Sequence, residues 1–461
     1  MAKLLRNPLD LTWIRTQISQ YITLKDALAC AVICRDWTDD FTRSIWHTVD
    51  FDLHKAFPSL DKAIISKYGH FIRVIKNLKD INHLNTIQDP SINRLKSLSI
   101  TIGTTLRTHS QCHQILHRNN TSLAYIDLFI LGPLGNEAGL VFSVDSVFPT
   151  GGTNAKSRLT SLKLKGLTLT RDSFSSLLRM CPLLKTLDIR YSILSSSLTS
   201  EIFQHSGVTC LASPIKQTFK LDPEFPETPS LFAHFPNLKE WKTWISFASQ
   251  PEITTQTIRA ETTRYCPQLK TVYTELISSQ SVDLLIKGFE KLKGVCVLHK
   301  NITIEMIMAI LSHHGTLENV RTYTSFHKFY DHESVPSVES HFQENGWAIQ
   351  TLLRLCPHLT VFEFPLHEMD MDQIEEAEWG CNNLEELHIR IRGLDTDEII
   401  NKALRLWIDL RNRKKKSGSF EFVLTGNRDK MTLEERVARH LLKFEKLNAV
   451  WLGNGIRRVK W

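Results

Sequence analysis

The chain has 461 residues, 42% of them apolar and 23% charged, proportions that suit a globular protein with a substantial core. No stretch approaches the roughly 18 uncharged apolar residues of a membrane span, and the start, MAKLLRNPLDLTWIR, lacks the apolar run and cleavage site of a signal peptide. A cytosolic or nuclear chain is therefore expected, with nine scattered cysteines as thiols and the sequons at Asn119, Asn120 and Asn301 accidental.

The first fifty residues hold three short amphipathic patterns. Ile14, Ile18 and Ile22 share one face at i+4 spacing. Thr23 or Asp26 opens a second helix bearing Ala27, Leu28, Ala31 and Val32, and a third carries Trp37, Phe41 and Ile45. A core this small usually leans on a partner.

From Leu95 onward a phrase of the form Leu-x-x-apolar-x-apolar recurs. It reads LKSLSI at Leu95, LAYIDL at Leu123, LTSLKL at Leu159 and LKTLDI at Leu184. Near versions follow at Leu238, Leu269, Leu292 and Leu317, then at Leu359, Leu384 and Leu447. The intervals 159 to 184, 292 to 317 and 359 to 384 are each 25 residues. That period lies within the range of leucine-rich repeats. In LKTLDI, Leu187 and Ile189 face one way on a strand while Thr186, Asp188 and Arg190 face the other.

A helical pattern precedes each phrase. Phe174, Leu177, Leu178 and Cys181 follow i, i+3, i+4, i+7 spacing, with Asp172 or Ser173 as the expected cap, and Ile349, Leu352, Leu353 and Cys356 repeat it. The Cys-Pro pairs at Cys181, Cys266 and Cys356 read as architecture: the thiol is a small apolar residue on the buried face, and the proline stops the helix. Phe235-Pro236 takes the same place without a thiol, so no metal site is inferred from these cysteines.

Three stretches break the period: 131–157 and 220–230 read as surface insertions, and 326–346 is polar and His-rich. HSQCHQILH gathers His109, Cys112, His113 and His117 but lacks a fourth ligand at a recognisable spacing, so surface histidines are expected. Residues 401–461 carry 16 Lys and Arg against 6 Asp and Glu, a net of +10, which leaves −3 of the total +7 for the rest. This basic cap centres on RNRKKK at Arg411 to Lys416, expected to be a solvated loop, with a nuclear address or a polyanion contact as the alternative, and no basic–aromatic motif marks a nucleic-acid surface. SFEFVL reads as a strand, TLEE at Thr432 as a capping box, LNAVWL as a final strand and GNGIRR as a turn. No phosphate-binding lysine loop, nucleophile elbow or HExxH pair occurs, so an enzyme is not expected and no cofactor is implied.

Taken in order, these features resemble a known family. Pro8, IRTQISQYI, LKDAL, VICRDW and FTRSIWHTVDF look like an F-box of the fungal F-box-like form, although Asn7-Pro8-Leu9-Asp10 departs from the usual Leu-Pro-Glu-Glu. The phrases behind it are similar to the cysteine-containing leucine-rich repeats that follow F-boxes. The fold implied is α/β, with a three-helix F-box over 1–50 and a leucine-rich-repeat solenoid over 51–461, a horseshoe with parallel strands on its concave face and helices on its convex face. The implied function is the substrate-recognition subunit of an SCF-type ubiquitin ligase. Its F-box binds a Skp-family adaptor, and through it a cullin, while the repeats hold an unidentified target protein; no membrane or nucleic acid is involved. The alternative is a leucine-rich-repeat interaction scaffold without a ligase role. Pro8, Leu9, Ile18, Leu28 and Val32 are the candidate adaptor face, with Ile18 equally suited to the domain's own core. Among outward strand positions, Arg190, Trp244, Tyr273, Arg321, Tyr323, His388, Arg390 and Trp451 are the candidate target-binding residues; Lys242 and Glu363 also point outward.

Overall fold

A computed structural model of the protein describes residues 9, 11–19, 21–103, 106–131, 157–195, 202–219, 230–245, 253–276, 279–298, 302–322, 346–417, 430–452 and 459–460. The chain is α/β, built on long ladders of parallel strands. It forms two compact units, one of Met1–Ala212 with Asp222–Pro229 and Ala233–Phe235, the other of Ser213–Leu221, Ser230–Phe232 and Pro236–Trp461.

The first unit opens with helices α1 (Thr12–Ile18), α2 (Leu24–Ala31) and α3 (Arg35–His47). Strands β1 (Thr48–Asp50), β2 (Val74–Leu78), β3 (Ser97–Gly103), β4 (Tyr125–Leu131), β5 (Ser161–Thr170), β6 (Thr186–Ser195) and β7 (Cys210–Ala212) then pair in parallel, each with the next. The second unit holds β8 (Glu240–Ile245), β9 (Thr271–Leu276), β10 (Gly294–Leu298), β11 (Asn319–Thr322), β12 (Val361–Met369), β13 (Glu386–Ile391) and β14 (Ala449–Leu452), again parallel in chain order. β15 (Val459–Lys460) closes it antiparallel to β14.

Every one of the Leu-x-x-apolar phrases leads a strand that starts two residues after its leucine, and every leading leucine is buried. The residue between leucine and strand forms the rung. Its carbonyl accepts the next rung's N–H and also the N–H after it, at 2.7–3.1 Å. In the first unit this chain of acceptors runs Arg73, Lys96, Ala124, Thr160, Lys185, and in the second Lys239, Lys270, Lys293, Glu318, Thr360, Glu385. Ile72 and Val208 replace the leucine ahead of β2 and β7; both are fully buried, so shape rather than leucine itself is what the site requires.

The joint between helix and strand is as the Cys-Pro phrase suggests. Cys181, Cys266, Cys356 and Cys381 are buried, and each carbonyl accepts the N–H of the leucine three residues on, at 3.0–3.3 Å. Cys266 also caps the helix Thr255–Tyr265 and directs its thiol at the Phe232 carbonyl. Two polar residues serve similar joints. Asn119 Oδ1 accepts the Leu95 N–H at 2.8 Å while its Nδ2 donates to the Ile115 and Ile92 carbonyls. His313 Nδ1 accepts the Leu292 N–H at 3.3 Å, which leaves Nε2–H to donate to the Ile286 carbonyl at 3.0 Å. Each thus satisfies a backbone N–H at the start of the preceding rung.

Three expectations need correction. The helix Arg171–Met180 is capped by Thr170, not Asp172 or Ser173; Thr170 ends β5 in extended geometry and its hydroxyl accepts the Ser173 N–H at 3.1 Å. In α1 and its C-cap the inward side chains are Arg15 and Ser19, Ile14 and Ile18 are half-buried, and Ile22, also half-buried, lies beyond the helix end. Arg15 is only 4% exposed and bonds Asp40 of α3 at 2.5 Å and the Leu9 carbonyl at 2.8 Å, so a charged pair rather than an isoleucine stripe ties α1 to α3. Finally, RNRKKK is not a loop but the end of the helix Asp397–Ser417. No glycine or proline interrupts it, Arg and Lys are good helix formers, and cations suit a helix C-terminus. The Arg411 guanidinium lies 5.4 Å over the Trp407 ring and donates to the Leu447 and Glu445 carbonyls. The capping box at Thr432 and Glu435 forms as expected ahead of the helix Leu433–Leu441. SFEFVL, GNGIRR and nearly all of the three irregular stretches lie outside the described residues.

Candidate functional site

Two surfaces gather the candidate residues. The first is on α1 and α2. Thr23 caps α2 by accepting the Asp26 N–H, which sets the helix phase so that Ala27 turns inward. Leu24, Leu28 and Val32, spaced i, i+4, i+8, then face outward, 42%, 50% and 83% exposed. Trp13, Tyr21 and Ile33 add further exposed apolar area. Six large apolar side chains are thus left in water between Trp13 and Ile33. Of the expected adaptor face, Leu28 and Val32 belong to it, Leu9 and Ile18 are half-buried, and Pro8 lies outside the described residues.

The second surface is the strand face of the second unit. Parallel register sets Lys242, Tyr273, Cys296, Arg321, Glu363, His388 and Trp451 side by side on β8 to β14. Neighbours interact in sequence. Lys242 Nζ lies 4.8 Å from the Tyr273 ring centre, Arg321 is 3.8 Å from Glu363 and 3.9 Å from Glu386, and the His388 and Trp451 rings are 5.6 Å apart. Tyr273, Arg321, His388 and Trp451, singled out one by one in the sequence, therefore form one row. Arg390, two residues beyond His388, is held 3.5 Å from Asp395. Cys296 went unsuspected: it lies in the outward row yet is buried, and burial pushes its thiol up to about 12. The side chain of Trp244, and all of Tyr323, lie outside the described residues.

Arg190 belongs to the first unit, where it clamps Asp188 at 2.9–3.2 Å. Asp188, expected in solvent, is buried because Arg190 folds back over it. The adjacent rungs repeat this self-pairing, with Asp127 between Lys163 at 3.8 Å and Lys165 at 3.9 Å. The fixed charges of both strand faces are thus largely matched within their own ladders.

HSQCHQILH falls on the helix Leu106–Asn119: Cys112 is buried, with its thiol pushed up to about 12 by burial, while exposed His117 stacks with half-buried His113, ring centres 6.2 Å apart. Among the described residues no group of three or more His, Cys, Asp or Glu side chains is placed to hold a metal ion. No described helix is long and apolar enough to cross a membrane. No protein-family model and no curated protein matches the chain.

Proposed function

We propose that the protein is the substrate-recognition subunit of an SCF-type ubiquitin ligase, an F-box-like segment followed by a leucine-rich-repeat solenoid. The observation that carries this reading is the exposed stripe Leu24, Leu28 and Val32 on α2, with Trp13, Tyr21 and Ile33 around it, directly ahead of a parallel ladder of repeats. A small helical segment whose apolar residues remain in water is completed by a partner, here a Skp-family adaptor and through it a cullin. The row Tyr273, Arg321, His388 and Trp451 suits a target protein, since aromatic and arginine side chains dominate protein-binding surfaces. The chain performs no chemistry itself; its contribution is proximity between target and recruited ligase.

Co-purification with the Skp-family adaptor tests the reading. The wild-type chain retains the adaptor, and Leu28→Asp with Val32→Asp loses it while the repeats stay folded. Failure of the wild type to retain the adaptor leaves the interaction scaffold without a ligase role.

A further inference from the structure

A group of cations without carboxylate partners sits where the first three strands begin. The residues immediately ahead of β1, β2 and β3 are His47, Arg73 and Lys96, and the backbone locks them abreast: Arg73 N–H donates to the His47 carbonyl at 2.9 Å and Lys96 N–H to the Arg73 carbonyl at 2.7 Å. Arg43 stands one helical turn before His47 on α3, its Cζ 5.9 Å from the Phe71 ring centre. Arg94 leads into the third rung, two residues before Lys96. All but Arg73 are exposed. Arg73 is half-buried, and among the described residues its guanidinium donates only to the His70 and Ile72 carbonyls. None of these five side chains forms an ion pair with a described residue, and Asp39, one turn ahead of Arg43, forms none either.

The cations feel one another. The Arg73 guanidinium is held below its ordinary range by burial and then by Arg94 and Arg43, and His47 by burial and then by Arg73 and Lys96. On the strand faces Lys163, Lys165, Arg190 and Arg321, and at a later rung Lys293, each have a carboxylate within 4 Å, whereas this cluster holds five cations together with none among the described residues. An uncompensated cluster of this kind is costly in the free protein and is relieved by concentrated negative charge.

We propose that this edge of the first unit is a binding site for a ligand bearing clustered phosphates. Three rungs span roughly 10 Å at ordinary strand spacing, which fits two or three neighbouring phosphates rather than a long polyanion track. Three arginines offer the planar donor fork that takes oxyanions two bonds at a time. A phosphomonoester carries nearly two charges, against one for a carboxylate, and a polyphosphate sets its charges on directly adjacent groups. A single-stranded nucleic acid would also want an open aromatic platform, and Phe71 is already covered by His70 at 3.9 Å and by Arg43. The site is independent of the ligase reading, since it uses neither the α2 stripe nor the strand-face row of the second unit.

Calorimetric titration of the full chain at low salt is the test, with sodium tripolyphosphate, a doubly phosphorylated serine peptide and a six-residue aspartate peptide as probes. Saturable binding of a phosphate probe by the wild type is expected, weakened at least about tenfold by Arg94→Gln with Lys96→Gln. Both side chains are exposed, so the pair leaves folding intact, and Lys185→Gln at an equivalent rung of the same unit leaves binding unchanged. Tighter binding of the phosphopeptide places the ligand on a phosphoprotein, and tighter tripolyphosphate binding makes it a free polyphosphate. The proposal is overturned if the wild type binds no phosphate probe saturably, if the double variant binds as well as the wild type, or if the aspartate peptide matches both phosphate probes.

Discussion

Asn119 and His313 do with a side-chain acceptor what no cysteine does, each satisfying a buried N–H that starts the preceding rung. Asn119→Ala leaves the Leu95 N–H and the Ile115 and Ile92 carbonyls without their partner, and should cost about 2–3 kcal/mol in urea unfolding. The cysteines make a complementary prediction. Native protein treated with a thiol reagent should react first at exposed Cys34 and more slowly at Cys30 and Cys210. Cys112, Cys181, Cys356 and Cys381, with thiols pushed up to about 12 by burial, should react only after denaturation. The Cys-Pro phrase was legible because a small apolar residue before a helix breaker has one natural place. Asn119 and His313 were not, since a polar residue at an apolar position reads as surface until its partners are seen.

α1 shows where element-level reading stops. The period located α1, α2 and α3, and residue type gave the capping box at Thr432 and left the α2 cap between Thr23 and Asp26, of which Thr23 takes it; but the inward face of α1 is turned one residue, from Ile14 and Ile18 to Arg15 and Ser19. Hydrophobicity alone cannot find a face led by arginine; only Asp40, 25 residues away, makes it affordable. Asp40→Ala strands Arg15 in the interior and should destabilise the helical segment by about 3–5 kcal/mol. Hydrogen exchange should then quicken across residues 12–47 and stay slow in β8 to β14. Adding Arg15→Met should recover much of the loss, an outcome that a purely local fault at Asp40 would not give. RNRKKK was misread for a related reason: its charges hid the run of helix formers, and the anchor at Trp407 and Leu447 is tertiary.

Across the molecule, the strand ladder was readable from the Leu phrases, and with it the row of four candidate residues in the second unit; Arg190 proved to belong to the other unit because sequence carries no unit boundary. What no phrase announced is a set of buried neutral histidines. His367 is lowered to about 4 and His440 to about 3, in both cases chiefly by burial, and His440 is packed between Trp379 and Phe444 with no hydrogen bond to either ring nitrogen. Their folded values lie below the unfolded value of 6.5, so the unfolded chain takes up protons first. Stability is complete above pH 6.5, falls as pH drops from there, and the loss is complete only below the folded values. His440→Phe should therefore stabilise by about 2 kcal/mol more at pH 5 than at pH 8, read from paired urea curves. The forked backbone acceptor has a different consequence. Rungs joined by it are separated by 36 residues between Ala124 and Thr160 and by 42 between Glu318 and Thr360, yet the linkage is the same. The chain behaves as a ratchet that counts catches and ignores the slack between them, so new excursions can be spliced between rungs over evolutionary time without resetting any strand beyond the splice.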